Sequence, residues 1–166
     1  MKVLQNIYWS DMHPNQSQEA RMLDMKDACY SAYCFALDGI LSGKYSITQD
    51  NMYFVIDNYM KPDWIDERPP KICPMTIIRY VIREACNNWL DEEDTKDKEY
   101  LCAYLKQKHE NKIFIPHSGV KSTNSVQIER VGRVAIDPVD IPTRIHLVIA
   151  HYDDGKWRAE IRAALN

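Results

Sequence analysis

The sequence predicts an α+β protein, with an N-terminal bundle of three to four helices followed by a small antiparallel β-sheet or barrel. Apolar residues recur every three or four positions through most of the first 110 residues, and later segments alternate every second position. The last such alternation is split by Asp153-Asp154-Gly155, a turn triplet between two strand-like arms. With 166 residues, 45% of them apolar and 27% charged, the chain suits one compact domain. Within it, the change of period divides a mainly helical subdomain at 1–110 from a β subdomain at 111–166.

The first helix opens at Pro14-Asn15-Gln16-Ser17, where Asn15 or Ser17 serves as cap and Glu19 sits in the first turn. Met22, Met25, Cys29, Ala32, Ala36 and Ile40 then share one side, and Gly43 supplies the left-handed stop. A shorter helix is expected from Thr48 to Tyr59, capped by Thr48 or Asp50. Lys61 to Pro70 holds three prolines in ten residues and reads as a loop. After Pro74, the residues Ile78, Val81, Ile82, Ala85, Cys86 and Trp89 form an apolar helical stripe. Arg79 and Arg83 lie on its other side, facing a phosphate or pairing with neighbours around Glu84. Asp91-Glu92-Glu93-Asp94 is a solvated link, and Glu99 to Lys108 forms another short helix with Leu101, Cys102 and Leu105 inward.

Strands follow. Lys112 to Pro116 is one and Ser125 to Arg130 a second, which Val131 to Ile136 continues, with Gly132 at a turn or bulge. Thr143 to His151 and Lys156 to Ala163 make the final hairpin. In its first arm Ile145, Leu147 and Ile149 are expected on one face, with Arg144, His146 and Val148 on the other.

Several function classes are disfavoured. No apolar run approaches the ~20 residues of a membrane span, and the opening residues contain no signal-peptide core. Cys29, Cys34, Cys73, Cys86 and Cys102 are odd in number and lack zinc-ligand spacing, so free thiols in a reducing cytoplasm are expected. The chain has no G-x-S-x-G elbow and no G-x-G-x-x-G or other phosphate-cradling glycine loop. No catalytic residue, metal site or cofactor is therefore assigned, and the protein is read as a binder. The alternative enzyme reading rests on a loop histidine such as His117.

Charge gives the stronger signal. The net charge is -3, yet residues 1–103 carry 11 basic against 17 acidic side chains while residues 104–166 carry 10 against 7. Lys112, Lys121, Arg130, Arg133, Arg144, Lys156 and Arg158 form the candidate nucleic-acid site in the basic part. Trp157 stands among them. Its indole either stacks on a base or fills the core of the sheet.

Four stretches resemble the N-terminal half of the OrfB/TnpB-type transposon proteins, relatives of the type V CRISPR effectors. They are Asn15 to Leu37, Pro74 to Ala85 with Asn88-Trp89, Tyr104 to Lys108 leading into Ile113 to Pro116, and Val126 to Val134 continuing through Ile141-Pro142 to Ile161. In that family these segments imply a helical recognition lobe and a small β-barrel that grip guide RNA and target DNA. The family's nuclease domain does not follow the final hairpin here, and Asp91 to Asp94 replaces its Lys-rich connection.

The resemblance thus implies a nuclease-free scaffold. Its role would be that of a phage regulator of the Alc type, which shuts off host transcription. Duplex DNA or RNA would meet the β half, and RNA polymerase or another host protein the helical half. A pure protein-binding inhibitor of a host complex is the alternative.

Overall fold

The computed structural model describes residues 5–60, 72–116 and 124–165. The expected loop at Lys61 to Pro70, together with His117 and Lys121, lies outside the described residues. The architecture is α+β, with helices and a curled six-stranded antiparallel sheet. The chain divides into two compact units, Met25–Glu110 and a β unit that joins Met1–Asp24 to Asn111–Asn166.

The β unit differs from expectation at its start. Residues Gln5–His13 form a strand, β1, where helices alone are expected before residue 111. It is followed by α1 (Gln16–Leu41), β2 (Lys112–Pro116), β3 (Ser125–Ile128), β4 (Gly132–Ile136), β5 (Ile145–Asp153) and β6 (Lys156–Ala164). Spatial order is β2-β5-β6-β1-β4-β3, so the first strand lies inside the sheet. It pairs with β6 from Gln5↔Ala164 to Asp11↔Arg158, and with β4 at Met12↔Ile136 and His13↔Ala135.

Opposed residues of an antiparallel pair share a face. On the inner face lie Ser10 and Met12 of β1, Ile113 and Ile115 of β2, Val134 and Ile136 of β4, and Ala159 and Ile161 of β6, all buried. Buried Ser10 is satisfied across the sheet, its Oγ donating to the Asp137 carbonyl at 2.6 Å. The last hairpin turns through Asp154 (φ 50°) and Gly155 (φ 76°), two left-handed residues in succession as its two-residue turn requires.

The first arm does not alternate as expected. Ile145 opposes Ala163, but Leu147 opposes Arg162, so a bulge at His146 shifts the register. One inserted residue puts Leu147 and Ile149 on the face opposite Ile145. That face is closed over β2 and β5, where Phe114, Leu147 and Ile149 are buried, and open over β1.

In the helical unit the α1 stripe is buried as expected through Met25, Cys29, Ala32 and Ala36, joined by Tyr33 and Leu37. The Asn15 cap belongs to a reciprocal box: Asn15 Oδ1 accepts from the Gln18 amide at 2.8 Å, and Gln18 Oε1 from the Asn15 amide at 3.0 Å. The second helix is shorter than its pattern, with α2 covering only Met52–Val55 before a π turn at Ile56–Met60. Thr48 and Asn51 hydrogen-bond each other's backbone amides ahead of it. Asn58 Nδ2 then donates to the Phe54 carbonyl at 2.8 Å, the acceptor that an α-helical turn would offer to the Asn58 amide.

The remaining helices are α3 (Met75–Asp91) and α4 (Lys98–Lys108). Helix α3 buries the expected stripe, with Leu90 in place of Trp89. In α4 Leu101, Cys102 and Leu105 are inward, and Asp97 caps by accepting from the Tyr100 amide at 3.0 Å. All five cysteines are free and only Cys34 is not fully buried; burial pushes the Cys86 thiol up to about 12.

Gly39 marks the tightest approach in this unit, because a Cβ there would run into the ring of buried Tyr45. Gly39→Ala should lower the unfolding free energy by about 1–3 kcal/mol in urea titration, against the gain of ~1 kcal/mol that alanine brings to a free helix. An unchanged or raised midpoint would show that Tyr45 is not seated there.

Candidate nucleic-acid interface

The open face of the β unit is set by register. From β1 it receives Ile7, Trp9, Asp11 and His13, and from β6 Lys156, Arg158, Glu160 and Arg162. His151 of β5 and Lys112 of β2 oppose each other on the same face, and Arg133 joins it from β4 opposite Gln127.

The predicted site residues divide accordingly. Lys112, Arg133, Lys156 and Arg158 are brought to this one face. Arg130 lies in the β3–β4 turn (φ 69°), where its carbonyl accepts from Arg21 Nη1 at 3.0 Å. Arg144 precedes β5 and is exposed, its carbonyl accepting from the Ala164 amide at 2.8 Å. Lys121 lies outside the described residues.

Trp157 requires correction as a stacking residue. It is 3% exposed because the alternation of β6 turns it inward with Ala159 and Ile161, so no base reaches its ring from the open face. The residue with the expected property is Trp9. It is 45% exposed, with the Arg158 guanidinium 4.8 Å from its ring centroid and the His151 ring at 5.1 Å. Sequence reasoning missed it because β1 sends Ile7 and Trp9 out and Ser10 in, inverting the usual polarity of a half-buried strand. Aromatic residues in a short run beside the first helix were the available signal.

Beside Trp9 sits an ionic cluster at the centre of the sheet. Glu160 opposes both Trp9 and Ile149 and is only 7% exposed. His151 Nε2 donates to Glu160 Oε1 at 3.0 Å, and Arg162 Nε donates to Oε2 at 2.6 Å. The hydrogen bond from His151, assisted by Arg162 and opposed by burial, holds the carboxyl down to about 2. At the surface, Arg158 Nε reaches Asp11 Oδ1 at 3.5 Å, and His13 Nε2 meets Asp137 Oδ1 at 2.7 Å.

A cavity of about 500 Å³ opens at the end of β1 nearest the hairpin turn. Asp11, His13, Glu19, Lys156 and Arg158 line it, together with Trp157. The Trp157 Nε1–H is buried and has no acceptor among the described residues.

Other candidates resolve differently. Arg79 is held in a two-point pair with Asp57, Nε to Oδ1 at 2.8 Å and Nη2 to Oδ2 at 3.1 Å, so its guanidinium is already engaged. Arg83 lies 4.9 Å from the Tyr80 ring centroid. His109 stacks on Tyr33 at 4.2 Å and its Nδ1 bonds the Leu105 carbonyl at 2.9 Å, a structural placement. Among the described residues, no group of three or more His, Cys, Asp or Glu is placed to hold a metal, and no helix is long and apolar enough to cross a membrane.

Compared with known proteins, the chain matches no protein-family model and no curated protein.

The Glu160 cluster makes stability pH-dependent. Its folded pKa is depressed from 4.5 to about 2, so its contribution is complete above pH 4.5 and lost as pH falls through 2. The loss should amount to on the order of 3 kcal/mol across that window. Glu160→Gln should lower neutral-pH stability and flatten the acid limb of the denaturation profile; an unaltered limb would remove this role.

Proposed function

We propose that the protein is a non-catalytic regulator that binds nucleic acid through the open face of its β unit and protein through its helical unit. The observation that carries this reading is the open face itself. Exposed Trp9 stands at its middle, and Lys112, Arg133, Lys156, Arg158 and Arg162 share the surface. Five cations against Asp11, Asp153 and Glu160 leave a modest positive excess, suited to salt-sensitive contact with phosphates. The resemblance to the nucleic-acid-gripping part of the OrfB/TnpB-type proteins supports the same reading. A phage factor that interferes with host transcription fits a chain with such a face and an acidic helical half.

A separate observation favours protein docking, with RNA polymerase or another host protein as partner. Tyr53, Phe54 and Tyr59 are each more than half exposed in the helical unit, and Phe54 meets Tyr59 edge-on at 5.9 Å. Phe54 and Tyr59 border a cavity of about 520 Å³ that Lys44 also lines. Clustered exposed aromatic side chains are characteristic of interaction surfaces. If this surface alone is used, the protein is a pure inhibitor of a host complex.

Binding of labelled duplex and single-stranded oligonucleotides, followed against salt, tests the reading. Affinity should fall with a log–log slope of about 2–4, and Arg133→Gln should reduce that slope by about 0.9 on duplex or about 0.7 on a single strand. Tyr53→Ala combined with Phe54→Ala should abolish retention of polymerase in a pull-down while leaving nucleic-acid affinity intact. Protein that neither binds an oligonucleotide at low salt nor retains polymerase does not have this function.

A further inference from the structure

We infer that the nucleic acid taken by the β unit is an unpaired strand, with one base stacked on Trp9 and the adjoining nucleotide seated in the cavity that Asp11, Lys156 and Arg158 line. This rests on the nucleic-acid reading above and specifies its substrate class. Trp9 offers a flat aromatic surface on an interior strand of the sheet, and only an unpaired base can present its face to it, since paired bases are occupied within their own stack.

The Arg158 guanidinium now over the indole is anchored by an exposed contact of 3.5 Å to Asp11, an interaction too weak to exclude a base. Once displaced, it remains beside the cavity that it also lines. Trp9 and the cavity therefore share Arg158, which places them within reach of neighbouring nucleotides.

The cavity is chemically suited to that neighbour. Lys156 and Arg158 supply cations for its phosphate, while Asp11 and Glu19 supply acceptors for sugar hydroxyls or exocyclic amines. Mixed charge disfavours a bare anion and favours a ligand with donors and acceptors both.

The test compares fluorescein-labelled oligo(dT), oligo(U) and a mixed-sequence 12-mer of each sugar with a duplex of the same length, by anisotropy at low salt. The single strands should bind at least tenfold more tightly than the duplex, and the ratio of DNA to RNA strand identifies the sugar preferred. Trp9→Ala should weaken single-strand binding about tenfold or more, with duplex affinity changing less than twofold. Trp9→Tyr should restore most of the loss. Lys156→Gln removes one cation from the cavity; it should lower single-strand affinity several-fold with thermal stability retained.

Duplex binding equal to or tighter than the single strands, or Trp9→Ala without effect, overturns the inference and leaves the nucleic-acid reading standing. Failure of every oligonucleotide to bind overturns both.

Discussion

Seven consecutive residues of β1 pair with β6, and the last two residues of the same strand pair with β4. Without β1 the sheet would separate into β2-β5-β6 on one side and β4-β3 on the other. The partners it joins are far apart in sequence, from 147 positions between Asp11 and Arg158 to 159 between Gln5 and Ala164. Closing a loop of that length costs about 4 kcal/mol in chain entropy beyond a constant, a cost offset only when the whole ladder and the apolar inner face form together. The strand that comes first in the chain is thus among the last that local interactions can fix.

The same pairing composes the open face. Trp9 meets Glu160 and Asp11 meets Arg158 only because β1 lies antiparallel to β6 in this register. A shift by one residue would turn Trp9 inward and Ser10 out. The Glu160 cluster reinforces the arrangement, since a carboxylate this buried is tolerable only with both oxygens hydrogen-bonded, here to His151 and Arg162. The bulge at His146 has its own consequence: it closes the outer face of β5 with Leu147 and Ile149, so on β5 the polar part of that face begins at His151.

In the helical unit, structure follows local rules more closely. Helix α3 buries a stripe of period 3.6, and α4 begins at an aspartate cap. Arg79 is consumed by Asp57, which leaves the exposed aromatic cluster as the distinctive surface of the unit. Tyr53, Phe54 and Tyr59 give this unit an exposed aromatic patch, unlike the cationic open face of the β unit.

The α+β class, the helix stripes, the Asn15 cap region, the extended character of 112–116 and 125–136 and the Asp154-Gly155 hairpin were legible in the sequence, because periodicity and turn chemistry are local; that 125–136 folds into two paired strands was not. The sequence also singled out Lys112, Lys121, Arg130, Arg133, Arg144, Lys156, Trp157 and Arg158, of which the strand register brings Lys112, Arg133, Lys156 and Arg158 to one face. Tertiary structure alone decided that β1 is a strand, that residues up to Asp24 belong with the β unit, and that Trp9 rather than Trp157 is the open aromatic residue. These outcomes depend on pairings spanning most of the chain and on a bulge that reverses side-chain parity. Neither leaves a mark in a window of ten residues, so the basic residues of the open face were legible and the assembly of that face was not.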